Sequence, residues 1–385
     1  MKTLPLGDIS LETFLAEYWQ KKPLLIRNAI ADFAPLIEPD ELAGLACEQE
    51  IESRLIISQH DDQPWSMQQG PLSESCFAEL PASHWTLLVQ AVDHWHPEAC
   101  EFLARFNFIP QWRVDDLMIS FATRGGGVGP HYDNYDVFLL QASGTRRWEY
   151  GGLYDEHSPR LDNPQLLLLD NWQAEHSVEL QPGDMLYLPP KVGHNGVATS
   201  DDCVTYSVGF RAPSHTEVLQ HFTDFVGQSL PADLRYSDPK LGAQAHSAQI
   251  DDSAISQVQE ILKRYIEQPE VIKQWFGCYM TEHKYPEQQQ QLHLDNELSE
   301  IESAIEEAQQ LQKIGGTRLA FHHCEGSESV SFFVNGMCCE ITVQELPFIQ
   351  QLSELQSIDC STLIGHPQRM TLLANLVKAG AYEIC

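Results

Sequence analysis

Two side chains that can bind a metal stand one residue apart in the stretch GPHYDNYDVFLLQASGTRRW, residues 129–148. In an extended chain, residues i and i+2 point to the same face, so His131 and Asp133 would lie side by side while Tyr132 faces the other way. Such a pair can bind a metal, form a salt bridge or contact water. The pair alone is weak evidence, because most pairs of this spacing bind nothing.

A third ligand candidate lies in a later stretch, LQPGDMLYLPPKVGHNGVA, residues 180–198. Residues 182–184 predict a turn and residues 185–188 a strand, which two prolines end. His194 opens the next β-type run, where a barrel can bring it opposite the first two residues. Two histidines and one carboxylate on one side of a metal are the arrangement of non-haem Fe(II) oxygenases. A ligand set of nitrogen and oxygen atoms also suits iron better than structural zinc.

An arginine on the following predicted strand is a candidate anchor for an anionic co-substrate. Iron oxygenases of this geometry need a reductant, and an oxo-dicarboxylate in that role would need a cation for its far carboxylate. A guanidinium offers a two-pronged match to a carboxylate. Strand alternation favours Arg146 and Trp148 pointing inward and Arg147 outward, although a β-bulge would exchange them. Ser120 on a neighbouring predicted strand either donates to the same carboxylate or is satisfied by the backbone.

Other candidate sites are weaker. Gly125, Gly126 and Gly127 resemble a phosphate cradle, but no Lys-Ser/Thr pair follows and no helix begins there, which favours a flexible loop. No Ser-His-Asp or Cys-His set has the sequence context of an activated nucleophile. His157, His176, His322 and His323 lie outside ligand spacing, so we expect them at the surface or in structural roles. His94 and His96 share the spacing of a ligand pair, but Pro97 and the preceding helical stretch favour a helix end or a loop.

Short β-type runs dominate residues 112–210, separated by Gly, Pro and Asp turns. They read LMISFA, DVFLLQA, RRWEYG, HSVELQ, MLYLP and VTYSVGF, and their spacing predicts a small antiparallel barrel or sandwich. Ahead of them, the first thirty or so residues predict a helix that Ser10 caps and Pro23 ends, followed by a short buried strand. The expected fold class is α+β.

Residues 214–313 are rich in helical patterns. The last pattern carries an apolar stripe that either packs within its own domain or forms a subunit interface, and its members are Leu298, Ile301, Ile305 and Leu311. After a break at two glycines, residues 317–385 predict a small α+β module that could be a winged helix. It holds three basic and seven acidic residues, so we do not expect it to read DNA.

Length and charge limit the possible classes of function. The 385 residues exceed one ordinary core, so two or three domains are expected. A formal net charge of −32 speaks against nucleic acid or an anionic membrane as the main partner. It is compatible with a basic protein partner, with solubility or with a salty cytoplasm. No apolar run is long enough for a bilayer, no secretory signal is visible, and ten scattered cysteines predict a reducing, cytoplasmic location.

Three blocks of the sequence resemble the JmjC-type cupin oxygenases, specifically the bacterial ribosomal oxygenases. The blocks are FLAEYWQKKPLLIRNA, MISFATRGGGVGPHYDNYDVFLLQASGTRRWEYG and PGDMLYLPPKVGHNGVA, and they agree in order and spacing. The resemblance implies an enzyme that uses Fe(II), 2-oxoglutarate and O2 to hydroxylate an arginine of the sixteenth large-subunit ribosomal protein. It implies His131, Asp133 and His194 as iron ligands and Arg146 as the 2-oxoglutarate anchor.

The resemblance also implies a domain organisation. We expect a cupin-like double-stranded β-helix (the JmjC barrel) in residues 1–213, a helical dimerisation domain in 214–313 and a winged-helix-like domain in 314–385. A basic ribosomal protein would be the partner, with neither nucleic acid nor membrane bound directly, and the chain would form a homodimer. Acidic and aromatic side chains near the metal segment could receive the substrate guanidinium: Asp115, Asp116, Tyr132, Tyr135 and Asp136.

Other functions remain open on the sequence. Relatives with the same core hydroxylate histidine or asparagine or demethylate lysine, and a small-molecule oxygenase would use the same iron chemistry. From another class, a catalytically inactive cupin could serve as a metal-binding scaffold. An intact ligand set together with Arg146 favours an active enzyme, because a scaffold needs no co-substrate anchor.

Overall fold

The computed structural model of the chain describes residues 4–58, 65–163, 165–286 and 297–385. Its N-terminal helix α1 (Leu11–Glu17) begins where predicted, because the Ser10 hydroxyl accepts a hydrogen bond from the backbone N–H of Thr13. Strand β1 (Leu24–Ile26) follows Pro23. No helix in the described part of the chain is long and apolar enough to cross a membrane.

Strands form the predicted barrel region, and every β-type run of residues 112–210 becomes a strand. The strands that follow β1 are β2 (Ser53–Ile57), β3 (Ser66–Gln69), β4 (Trp85–Val89), β5 (Val114–Ala122), β6 (Val137–Ser143), β7 (Arg146–Leu153), β8 (His176–Leu180), β9 (Met185–Leu188), β10 (Val192–Ala198) and β11 (Cys203–Phe210). Short helices α2 (Pro39–Leu45), α3 (Glu74–Ala78) and α4 (Pro97–Leu103) lie between them.

Two antiparallel sheets make the barrel. The larger has the order β1-β9-β6-β11-β5-β4-β2-β3 and the smaller the order β10-β7-β8. Apolar side chains of both sheets share one cluster, which includes Leu139 of β6 and Trp148 of β7. The larger sheet contributes on its other side to the main core, where Phe138 and Tyr187 pack against Phe14 of α1. The small sheet is therefore held against one side of a sheet whose opposite side is filled by the N-terminal helices.

Helices α5 (His215–Ser229), α6 (Asp252–Ile266) and α7 (Pro269–Thr281) follow the barrel, as the helical patterns predict. Phe222 of α5 and Trp275 and Tyr279 of α7 share a cluster to which Trp112 of the barrel adds its ring. Arg211, just after β11, donates to the backbone oxygen of Met280 at 2.7 Å. Helix α7 is thus attached directly to the barrel.

The C-terminal module consists of helices and two small sheets. Its elements are α8 (Leu298–Glu307), β12 (Gln310–Lys313), β13 (Leu319–His322), β14 (Ser329–Val334), β15 (Met337–Thr342), α9 (Leu346–Glu354), β16 (Ser357–Asp359), α10 (Pro367–Lys378) and β17 (Tyr382–Ile384). The three-stranded sheets have the orders β16-β12-β17 and β13-β14-β15.

The apolar stripe expected on one long helix packs inside this module. Helix α8 ends at Glu307, and Leu311 lies on β12 instead. Ile301, Ile305 and Leu311 are buried in the same core as Leu373 of α10. For these three residues the structure therefore supports packing within the chain, and Leu298 lies partly buried against the same core. The predicted domain boundary between residues 313 and 314 runs through this core, because Leu311 lies before it and Leu373 lies after it.

Candidate metal centre

The structure brings His131, Asp133 and His194 together. One possible ligand atom from each lies within 4.8 Å of the others, and theirs is the one such cluster found among the described residues. His131 and Asp133 do not sit in a regular strand as expected, since β6 begins only at Val137. Instead His131 forms an isolated antiparallel bridge with His194 of β10.

Backbone hydrogen bonds hold the two segments in register. The N–H of His131 donates to the oxygen of His194 at 3.0 Å, and the N–H of His194 donates back at 2.8 Å. The N–H of Lys191 donates to the oxygen of Asp133 at 2.6 Å. The pairing of β10 with β7 shifts register between Val192 and His194. This irregularity accompanies the turn of the His194 ring toward His131, with ring centres 4.2 Å apart.

Both imidazoles are oriented by backbone carbonyls two residues earlier. Nδ1 of His131 lies 2.8 Å from the oxygen of Gly129, and Nδ1 of His194 lies 3.0 Å from the oxygen of Val192. A ring that donates from Nδ1 presents the lone pair of Nε2, which is the form that binds a metal. Burial, with a contribution from His131, lowers the pKa of His194 to about 4. That imidazole is therefore neutral at pH 7 and available as a ligand.

The glycine run before His131 is packed against the strand that carries His194. Gly125 donates to the oxygen of Ala198 and Gly126 accepts from its N–H, both at 2.9 Å. A Cβ on Gly127 would lie 2.3 Å from the oxygen of Gly196, and one on Gly126 would lie 2.2 Å from the oxygen of Trp85. The run lies in a loop before the metal segment, as expected, and Gly126 and Gly127 need to be glycine because two backbones approach closely there.

Arg146 points into the barrel and Arg147 points outward, as the alternation of the strand predicts. Arg146 is 3% exposed and Nε donates to Sγ of Cys203 at 3.4 Å. Its Nη2 is buried and has no hydrogen-bond partner among the described residues. The side chain of Arg147 is 48% exposed and pairs with Glu149. A buried guanidinium with an unused donor is suited to bind a carboxylate.

Ser120 is buried on β5 and lines the same cavity as Arg146. Its hydroxyl lies 3.5 Å from the backbone oxygen of Thr205, a distance at which a hydrogen bond is weak. The hydroxyl is thus in a position to turn toward a ligand, and its role as a donor to the co-substrate stays a prediction. Thr205, which sequence reasoning did not single out, lines the cavity beside it.

A cavity of about 810 Å³ opens from the three candidate ligands. Of the residues considered for a substrate guanidinium, Asp115, Asp116, Tyr132 and Tyr135 line it. Asp136 does not, because it is fully buried and accepts hydrogen bonds from Tyr187 at 2.5 Å and Gln20 at 2.9 Å. Asp136 therefore fastens the N-terminal segment to the barrel and has no part in the cavity.

The helical region also contributes to this cavity, which the sequence did not reveal. The cavity is lined by Glu217 of α5, Tyr279 of α7 and Lys284 just beyond α7. No spacing or motif marks these residues, since each lies far along the chain from the metal segment. Their strong charge or aromatic character is common in the chain and gives no signal without the tertiary structure.

Two family models match the chain. The JmjC domain model covers residues 101–218, and the ROXA-like winged helix model covers residues 264–383. The second match agrees with the packing of α8 and β12 in the C-terminal module and confirms the winged-helix expectation. The fold and the cluster of His131, Asp133 and His194 define the class: a JmjC-domain cupin with a winged-helix domain.

Similarity to known proteins identifies the family within this class. The ribosomal protein uL16 3-hydroxylase of Escherichia coli is 40% identical over 308 residues, 80% of each chain. The probable ribosomal oxygenase of Haemophilus influenzae is 41% identical over 213 residues, 55% of this chain and 52% of that protein. The structure of the E. coli ribosomal oxygenase YcfD with cobalt and 2-oxoglutarate matches with a TM-score of 0.81 and 34% identity over 98% of this chain and 99% of that one. The chain belongs to this family of JmjC-domain ribosomal oxygenases.

Replacing His131 or Asp133 by Ala should abolish stoichiometric Fe(II) binding, because two remaining ligands cannot occupy one side of the metal as three do. Anaerobic equilibrium dialysis followed by metal analysis measures this directly. His157, whose side chain is 83% exposed and lies outside the cavity, provides the control variant His157→Ala. Full occupancy in either ligand variant would end the three-ligand assignment.

Proposed function

We propose that the chain is an Fe(II)- and 2-oxoglutarate-dependent protein hydroxylase that acts on an arginine side chain of a large-subunit ribosomal protein. The observation that carries the proposal is a three-ligand cluster and a buried guanidinium with an unpaired Nη2, which line one cavity. The E. coli relative named as a uL16 3-hydroxylase supports hydroxylation of a ribosomal protein. Such a substrate would place the enzyme in the cytoplasm.

The residues present fit the metal and the co-substrate. His131, Asp133 and His194 would hold Fe(II) through two imidazoles and a carboxylate, and Arg146 would bind the far carboxylate of 2-oxoglutarate. Fe(II), together with 2-oxoglutarate and O2, supplies the oxidising power that converts a carbon–hydrogen bond into a hydroxyl. The buried Nη2 of Arg146 supports this assignment, because an unpaired buried donor carries a free-energy cost that a bound carboxylate removes.

The chain's own contribution is binding, orientation and exclusion of water. Val137 and Leu139 of β6 and Trp148 of β7 form an apolar part of the cavity lining, and the Trp148 ring lies 6.0 Å from the ring of His194 and 5.7 Å from the guanidinium of Arg146. A charge-assisted pair is stronger in such a desolvated site than in water. The apolar lining therefore favours a bound co-substrate whose charge is met by Arg146.

Charge and shape support an arginine as the target. Asp116 lines the cavity with Met118 and Tyr135, which offers a guanidinium one carboxylate, one apolar contact and one aromatic ring. The net charge of −32 favours encounter with a polycationic ribosomal protein. The three basic and seven acidic residues of 317–385 also favour protein over nucleic acid as the partner. Hydroxylation of histidine or asparagine and demethylation of lysine would use the same iron site, so the target has to be tested.

A homodimer is the second part of the proposal, with a face of α6 as the contact. No residue of α6 is buried in the single chain. Its apolar side chains lie along one face: Ile255, Val258, Leu262 and Ile266 are 50%, 47%, 54% and 51% exposed. Soluble monomers seldom leave so large an apolar face in water. We therefore propose this face of α6 as the dimer contact instead of the stripe of α8, because that stripe is buried within the chain.

Replacing Arg146 by Ala should raise the 2-oxoglutarate requirement while iron affinity stays nearly unchanged. The loss of a charge-assisted pair in a desolvated site costs about 2–5 kcal/mol, roughly 30- to 5000-fold in binding. Titration of the Fe(II)-loaded protein with 2-oxoglutarate measures it. Arg147→Ala is the matched control, because that neighbouring side chain is half exposed and should have little effect. The reverse ranking of the two variants would reject Arg146 as the anchor.

Incubation of the enzyme with Fe(II), 2-oxoglutarate and peptides of the sixteenth large-subunit protein should add one oxygen atom to an arginine. Tandem mass spectrometry locates the added mass. The rate at low peptide concentration should fall as salt rises, because salt screens the attraction between the acidic enzyme and the basic peptide. Oxygen found only on histidine, or formaldehyde released from methyl-lysine peptides, would retain the iron site and reject the arginine target.

The double variant Val258→Asp/Leu262→Asp should be monomeric by light scattering, because each partner would have to bury two carboxylates in the contact. Arg264→Gln, on the opposite side of the same helix, is the control and should remain a dimer. A double variant that still dimerises would move the contact away from α6.

A further inference from the structure

Lys284 connects the helical region to two carboxylates that line the candidate active-site cavity. It follows α7, and its Nζ lies 2.8 Å from Oδ2 of Asp115 and 3.0 Å from Oδ2 of Asp116 on β5. The side chains of Lys284 and Asp116 are 18% and 4% exposed. An ion pair this buried is costly to form and costly to break by removing one partner. The buried pair of Lys284 and Asp116 is therefore unlike the exposed ion pairs of the surface, and we ask what role it has in the cavity.

Lys284 is one of three donors that converge on a single oxygen of Asp116. Oδ2 accepts from Nε2 of Gln90 at 2.7 Å and from the backbone N–H of Ala91 at 2.9 Å, in addition to Lys284. The second oxygen, Oδ1, is on the side of Gly209, 3.8 Å from where a Cβ of that residue would lie. Gly209 lines the cavity. The three donors thus fix the carboxylate with Oδ1 turned toward the cavity.

The charge state of Asp116 also depends on Lys284. The pKa of Asp116 is raised above its ordinary value, chiefly by burial and also by Asp115, while Lys284 acts in the opposite direction. Asp115 behaves differently: despite burial, its pKa stays below the usual range because Lys284 and Arg318 both pair with it. Without the ammonium of Lys284, Asp116 would be a buried carboxyl beside an anion, and protonation would be its cheapest response.

We propose that Lys284 is a positioning residue, which holds Asp116 with one oxygen turned toward the cavity so that Asp116 receives the guanidinium of the substrate arginine. The proposal rests on the arginine hydroxylase function proposed above. It makes the region after α7 part of the substrate site. It also gives a physical reason for the helical region and the barrel to occur in one chain, since β5 supplies the carboxylate and the segment after α7 supplies its counter-ion.

Lys284→Met in the full-length, Fe(II)-loaded protein should raise KM for the arginine-containing peptide at least tenfold. The KM for 2-oxoglutarate is measured in the same variants and should change far less than the KM for the peptide. Lys284→Gln keeps a hydrogen-bond donor without the charge and is measured alongside, so that the result does not depend on how well the methionine variant folds. Lys284→Arg should recover most of the affinity for the peptide.

Arg318→Met separates positioning from a general loosening of the fold. Arg318 pairs with Asp115 at 2.7 Å but is not among the donors to Asp116. Its loss weakens the contact between the C-terminal module and the barrel and should leave KM for the peptide nearly unchanged. Lys273→Met, which removes a pair with the exposed Glu270, is a neutral control on α7. Equal effects of Arg318→Met and Lys284→Met would overturn the proposal.

A double-mutant cycle with Asp116→Asn decides whether Lys284 acts through Asp116. If it does, Lys284→Gln should change KM for the peptide less than twofold once Asp116 is already an amide. Additive effects, or tighter peptide binding in Lys284→Gln, would reject the positioning role. Hydroxylation of arginine by the unaltered protein is the reference: its absence rejects the proposed function, whereas its presence with an unchanged KM in the Lys284 variants rejects only this inference.

Discussion

The candidate metal centre depends on one backbone interaction, the reciprocal pair of hydrogen bonds between His131 and His194. Because each ring is also oriented by a carbonyl two residues earlier in its own segment, the backbone and not chance side-chain packing sets where the two Nε2 atoms point. Asp133 lies beside them because its backbone oxygen accepts a hydrogen bond from the N–H of Lys191, just before the strand that carries His194. The close approach of Gly126 and Gly127 to neighbouring backbone keeps the segment before the bridge in place. A loss of this pairing would therefore disperse all three ligands at once.

Arg146 is the second feature that the barrel must stabilise. A buried cation is unfavourable unless hydrogen bonds or an opposite charge compensate for the lost water. Here one contact is the weakly accepting sulfur of Cys203 and another is the face of Trp148, 5.7 Å from the guanidinium carbon to the ring centre. The fold thus leaves the guanidinium poorly satisfied by protein groups alone. Such a site gains stability from a carboxylate ligand, which couples co-substrate binding to the stability of the barrel.

Local patterns predicted the parts of this protein that depend on local geometry. The two-residue period of a strand predicted that Arg146 points inward. Turn residues marked the ends of the strands that carry or flank the candidate ligands. The stripe of Ile301 and Ile305 was ambiguous, because an apolar helix face has the same spacing whether its partner is the same chain or another. Lys284 could not be predicted, since its pairing with Asp115 joins residues 169 positions apart. Such contacts follow from the packing of α7 on the barrel, which no spacing in the sequence encodes.

The distribution of charge indicates that a substrate would be attracted by the chain as a whole and recognised by a few groups inside the cavity. Lys284 and Arg318 offset the charges of Asp115 and Asp116, which line the cavity, so the net charge of −32 is carried by the rest of the chain. The resulting long-range field attracts any polycation and is screened over about 8 Å at physiological ionic strength. It cannot distinguish an arginine from a lysine. Under the proposed function, that choice falls to groups inside the cavity, where the Asp116 carboxylate and the Tyr135 ring would favour a planar guanidinium over a compact ammonium. Salt should therefore act on encounter with the substrate, whereas the pair of Asp116 and Lys284 should act on which side chain is accepted.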